Sequence, residues 1–230
     1  MATSGTYTFD LDLGDAMEEA FERAGLEMRS GYDYRTARRS INLLMLEWQN
    51  RGLNLWTVQS KSQALTGGTS AYTLDSDVLD IVEAFVRTNS GNVTSQFDQS
   101  LTRISVSQYA QLSNKLTQSK PTEFFVERTA TGIIVNLWPV PDSQETYTFE
   151  YYYMRRIEDA GKPASNTMSV PSRFLPCLVA GLAYQVSLKY AEANPRSMML
   201  KTEYEEQFKL ASDSDRDKAS LFVSPGGYTN

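Results

Sequence analysis

Helical periodicity occupies both ends of this chain and a β period fills its middle, and this division constrains the fold more than any other feature. Leu13 to Ala24 sets Met17, Ala20, Phe21 and Ala24 on one side, with acidic residues in its opening turns and Gly25 as its stop. Tyr32 to Arg51 repeats Ala37, Ile41, Leu44, Met45 and Trp48 at spacings of three and four, leaving Arg35, Arg38, Arg39 and Glu47 largely off that face, and Gly52 reads as its stop. Pro171 opens a third helix whose stripe is Phe174, Leu178, Leu182 and Val186, with Val179, Ala183 and Tyr190 beside it and Pro195 as its end. A fourth, from about Ser197 to Ala211, takes its apolar contacts from Met199, Tyr204, Phe208 and Leu210.

Between these pairs the sequence turns rich in β-branched and aromatic residues. Leu55 to Leu65, Val78 to Thr88, Glu123 to Thr129, Gly132 to Leu137 and Tyr147 to Arg155 read as strands. TGGTS, TNSGN, ATG and PVPDS separate them, with the first expected to turn a hairpin, and Val106 to Lys115 reads as one short helix inside the β region. Two helix pairs at opposite ends can share one core only if the β region projects as an insertion. The predicted fold is therefore α+β: a four-helix bundle from residues 1–54 and 170–212, with an inserted antiparallel β domain over 55–169. From Asp213 the composition becomes too polar to bury itself and then ends in LFVSPGGYTN, so 213–230 reads as an extended tail with a small apolar tip.

Histidine is absent, which removes every Ser-His-Asp, Cys-His or His-ligated metal scheme. Asp75, Asp77 and Asp80 form the densest acidic group, yet TLDSDVLD lacks the glycine and the distant glutamate of a calcium loop and reads as a strand end with a turn. Gly67 and Gly68 are followed by no Lys-Ser or Lys-Thr, so they do not form a phosphate cradle. Tyr151 and Tyr153 alternate with Tyr152 across a strand, as packing residues would. No catalytic, cofactor-binding or metal-binding residues are predicted. The one chemistry that spacing cannot address is a pair of glycosidase carboxylates about 5 Å apart in space.

A formal charge of −6 argues against tight binding to a phosphate backbone, and Arg35, Arg38 and Arg39 are the only dense basic group. The single cysteine, Cys177, sits among Leu175, Leu178 and Val179 as a buried thiol would, and suits a reducing compartment. MATSGTYTFDLDLGD lacks the pattern of a signal peptide, and no apolar stretch approaches the length of a membrane span, so a soluble protein without a membrane partner is expected.

Two blocks, GYDYRTARRSINLLMLEWQNRGLNLWTVQ at 31–59 and VPSRFLPCLVAGLAYQVSLKYAEANPRSMMLKTEYEEQFKLASDSDRDKASLFVSP at 170–225, resemble the head-to-tail adaptors of short-tailed bacteriophages, the connector or tail tubular protein A family. YTLDSDVLDIVEAFVR, KPTEFFVER and VNLWPVPDSQETYTFEYYYMRRIED are similar to that family's β region. The resemblance implies a virion protein made in the host cytoplasm and assembled into a homo-oligomeric ring, commonly of twelve subunits. Such a ring sits between the portal protein and the tail nozzle protein, and DNA passes through its lumen without tight or sequence-specific binding. It implies no enzyme chemistry for most members; some relatives are linked to cell-wall hydrolysis, but no residues of this chain match such a site, and no cofactor is expected. The family's C-terminal segment reaches the portal, which maps here onto Asp213 to Asn230, and within it Leu221, Phe222, Val223, Pro225 and Tyr228 are the expected portal contacts.

The competing expectations are another neck or tail role, such as a nozzle or tail-completion protein, a carbohydrate-binding module built on the β region, and a cell-wall hydrolase. Portal association, glycan binding and wall digestion respectively separate them.

Overall fold

A computed structural model describes residues 11–52, 55–161 and 170–215. It is mixed α+β and divides into two compact units, one of residues 1–56 and 158–230, the other of residues 57–157. The last strand ends at Arg155, and the chain beyond it is bound to the helical unit: Ala160 is buried and its N–H donates to Asn42 Oδ1 at 2.8 Å.

In the helical unit, α1 (Leu13–Ala24) starts because the Asp12 carboxylate accepts from the Asp15 N–H, and it stops at Gly25, whose φ of 79° is left-handed. The second helix, α2 (Gly31–Arg51), opens with a reciprocal capping box between Ser30 and Asp33. A 3-10 turn, Leu55–Thr57, follows it where the sequence predicts a strand start. Later in the chain come α4 (Leu175–Ser187) and α5 (Ser197–Ser214), led in by 3-10 turns at Ser172–Phe174 and Asn194–Arg196. The predicted end of the third helix at Pro195 is corrected: α4 ends at Ser187. Tyr190, placed on its flank by periodicity, instead donates its hydroxyl to Asp33 Oδ1 at 2.7 Å.

Periodicity anticipates a four-helix bundle; the structure displays α4 as a hub on which α1, α2 and α5 each pack. Nearly all of α4 from Cys177 to Ala183 is buried. Gly181 marks its tightest crossing, where an added Cβ would lie 2.9 Å from both Leu44 Cδ2 and Tyr204 Cε2. On α5 the buried apolar residues are Leu200, Tyr204, Phe208 and Ala211, whereas Met199 and Leu210, expected as contacts, are exposed. Met199 and Leu210 each lie one residue before the face that Leu200, Tyr204, Phe208 and Ala211 form at i, i+4, i+8, i+11 spacing.

The β unit contains two four-stranded sheets. The first has the order β1 (Val58–Ala64), β8 (Tyr147–Arg155), β3 (Val78–Thr88), β4 (Phe97–Ser100) and is antiparallel throughout. The second has the order β2 (Ala71–Thr73), β7 (Ile133–Trp138), β6 (Glu123–Arg128), β5 (Thr102–Ile104). Their inner faces share one apolar cluster, with the Phe124 and Phe149 rings meeting across it at 6.3 Å. The expected all-antiparallel region is corrected in one place: β5 and β6 are parallel. The chain between them, which carries the short helix α3 (Val106–Gln111), is long enough for the crossover that a parallel pair requires.

On β8 strict alternation buries Tyr147, Phe149, Tyr151 and Tyr153 and leaves Tyr152 45% exposed. On β3 the buried residues fall at Val78, Ile81, Ala84 and Val86, and the two steps of three coincide with register shifts between Val78 and Asp80 and between Ile81 and Glu83. Each shift inserts one residue and turns the following side chains over. The 66–70 turn is not a hairpin either, because β1 and β2 belong to different sheets. Gly67 there presses on the 141–143 loop, where its Cβ would sit 3.0 Å from the Asp142 carbonyl oxygen, and the Gly68 N–H donates to Pro141 O at 2.8 Å.

Candidate functional site

The acidic group in the β unit is structural. Lys61 Nζ stands 2.8 Å from both Asp75 Oδ2 and Asp77 Oδ1, and the Tyr153 hydroxyl donates to Asp77 Oδ2 at 3.1 Å. Burial works against ionisation of Asp77, but Lys61 and Tyr153 hold its carboxyl below the usual carboxylate range. Asp80 on β3 receives Arg103 of β5 at 3.0 Å and Arg128 of β6 at 2.6 Å, tying the two sheets together. Among the described residues no group of three or more Cys, Asp or Glu could hold a metal ion.

The helical unit is also cross-braced by polar groups. Arg51 of α2 reaches Glu47 at 2.6 Å and Glu205 of α5 at 2.9 Å, with its guanidinium 4.3 Å from the centre of the Phe208 ring. The hydrogen bond from Arg51 keeps Glu205 below the usual carboxylate range.

Two faces stand out. Along the outside of α2, Tyr32, Arg35, Arg39, Leu43 and Leu46 are exposed in one helical stripe, and Tyr32 with Arg35, Arg38 and Arg39 lines a basic hollow of about 580 Å³. Sequence spacing places these arginines off the core face, and the structure does the same. The other is a groove of about 920 Å³ between α1 and the beginning of α4. Leu11, Leu175 and Val179 form its apolar floor, while Asp15, Glu18 and Glu22 recur at helical spacing along its wall and face solvent. Glu19 is engaged by Arg23 at 2.8 Å, and Arg23 continues to Glu203 of α5 at 2.9 Å. Arg173, on the groove's other lip, is bonded to the carboxylate of Asp215 at the end of α5.

Sequence reading misses this groove because its two walls lie about 160 positions apart; only the acidic stripe of α1 is visible locally. The predicted tail residues Leu221, Phe222, Val223, Pro225 and Tyr228 lie outside the described residues. The expected tail boundary is moved, since α5 continues through Ser214 and the Asp215 N–H still donates to Ala211 O at 3.1 Å. Arg173 supplies the anchor that holds this last polar turn in helical form.

Among the described residues the clustered charges brace each unit internally, while the charged groove and the mixed basic and apolar face of α2 remain open to solvent. The chain belongs to the SU10 adaptor protein family, whose model matches residues 11–226. It is thus a phage adaptor, a structural component of the virion, and the family is not a class of enzyme. No curated protein matches the chain. Among the described residues no helix is long and apolar enough to cross a membrane.

Proposed function

We propose that this adaptor acts at the head-to-tail junction, as a ring of about twelve copies joining the portal to the tail nozzle and leaving a channel through which DNA passes. The family match over 11–226 carries the reading. Two further features support it. A net charge of −6 suits a conduit wall that repels phosphates and lets the duplex slide. The braced helical unit gives neighbouring copies stiff faces to meet, so that many modest contacts add up around a ring.

In this reading residues 216–230 reach the portal, with Leu221, Phe222, Val223, Pro225 and Tyr228 as the contact, each buried apolar side chain contributing about 1.5–3 kcal/mol before ordering costs. The test is negative-stain imaging of the protein mixed with portal rings, alongside a chain ending at Asp215. Stacked double rings with the full chain, lost on truncation, are the expected outcome. A full chain that never associates with portal rings, or that stays single in the assembled virion, refutes the proposal.

A further inference from the structure

The groove between α1 and α4 has an apolar floor and an acidic wall whose Asp15, Glu18 and Glu22 make no ion pair among the described residues, Glu18 accepting only the Tyr34 hydroxyl at 3.1 Å, so an occupant with apolar side chains and positive charge fits it. The position of the chain's end narrows the choice. Asp215 closes α5 and is bonded to Arg173 on the groove's lip, so the last described residue of the chain stands at the edge of the groove. The sequence that follows, RDKASLFVSPGGYTN, opens with Arg216 and Lys218, complementary to Asp15, Glu18 and Glu22, and continues into Leu221, Phe222 and Val223, which suit the floor of Leu11, Leu175 and Val179. At about 3.3 Å per residue the stretch 216–221 spans about 20 Å, enough to bring Phe222 over a groove two helices wide. Residues 1–10 are a poorer match: they adjoin Leu11, but their one charged side chain is Asp10, of the same sign as the wall.

We infer that the α1/α4 groove is the docking site of this chain's own residues 216–230, with Arg216 and Lys218 against the acidic wall and Leu221 and Phe222 on the floor. The inference goes beyond the adaptor reading and concerns the isolated chain. A segment parked on its own body is shielded from premature association and must leave the groove before it engages any partner. Charge attraction at an exposed wall also makes that release responsive to salt.

The test uses the full chain carrying Glu22→Cys and Ser220→Cys, in dilute solution with a short bismaleimide crosslinker, Cys177 being buried. Crosslinking within one chain is expected, falling by about fivefold when Arg216→Glu and Lys218→Glu are added. A parallel chain with Glu22→Cys and Thr6→Cys is expected to crosslink about fivefold less. Products linking two chains, a preference for residue 6, or a yield indifferent to charge reversal would each overturn the inference. Hydrogen exchange gives a second readout: Phe222→Asp is expected to speed exchange across residues 13–24, and an unchanged rate counts against the groove. Neither readout involves a portal, so failure here leaves the adaptor reading standing, and the reverse holds too.

Discussion

The indole N–H of Trp48 donates to the hydroxyl of Tyr204 across 3.1 Å, joining residues 156 positions apart. The same hydroxyl donates to Glu47 Oε1 at 3.1 Å, and Glu47 in turn is held by Arg51. A polar chain thus links α2 to α5, with the Trp48–Tyr204 bond as its buried member.

Tyr204→Phe removes one acceptor and one donor from that chain while keeping the ring. The variant is expected to lose about 1–3 kcal/mol of stability in urea unfolding, because buried polar groups are left short of partners. Tyr152→Phe, at an exposed ring of β8, is the control and should change stability by less than about 0.5 kcal/mol. Equal losses in the two variants would rule out a special role for the Trp48–Tyr204 bond.

Gly181→Ala tests the crossing of α4 with α2 and α5. Helix propensity alone favours alanine by about 1 kcal/mol. The new methyl, however, must displace both the fully buried Leu44 and the rigid ring of Tyr204, and overpacking of this kind costs about 1–3 kcal/mol. A net destabilisation is expected, measured as a lower thermal midpoint; a raised midpoint would show that the helices have room to spare.

Stability against pH follows from groups at both extremes. Asp33 is kept below the usual carboxylate range by the hydroxyls of Tyr190 and Ser30, Asp98 by the Arg87 guanidinium, and Glu205 by Arg51. Their folded pKa values lie below the unfolded ones, so this stability is present above about pH 4 and is lost as pH falls through the folded values. At the alkaline end, burial pushes Tyr151 up to about 12, and burial together with Asp33 does the same for Tyr190. Those groups favour folding below about pH 10 and cease to do so as pH rises through 12. With no histidine in the chain, calorimetry should find a plateau between about pH 5.5 and 8.5. A steep slope inside that interval would contradict the assignment.

Cys177 reports on opening of the helical core. Its thiol is buried on α4 and pushed up to about 12, mainly by burial. Labelling by iodoacetamide at pH 8 is expected to run at least about 100-fold slower in the native chain than in denaturant. Comparable rates would mean that α4 opens readily, which a hub helix should not do.

Much of the architecture was legible in the residues themselves. The span of α1 and the C-terminal end of α2 follow from caps and glycine stops acting within a few residues, and β8 from an aromatic alternation that only a two-sided strand satisfies. What escaped notice was carried by weak or distant signals. The edge strands β4 and β5 are short and polar, so they show no apolar alternation; Leu101 between them is buried where the chain changes sheets, its N–H donating to Ala84 O while that of Thr102 donates to Thr122 O. The last turn of α5 has no apolar pattern and persists because Arg173, some forty positions earlier, binds Asp215.

By itself the sequence determined where helices and strands form and which face of each is apolar, since those properties depend on neighbours within a turn or two of the chain. Tertiary structure alone decided that α4 is the hub, that the two bulges of β3 bring Ile81 onto its inner face, that β5 pairs in parallel, and that the acidic stripe of α1 becomes one wall of a groove. Each of these brings together segments far apart in sequence, and the free energy of such contacts depends on packing that no local pattern encodes.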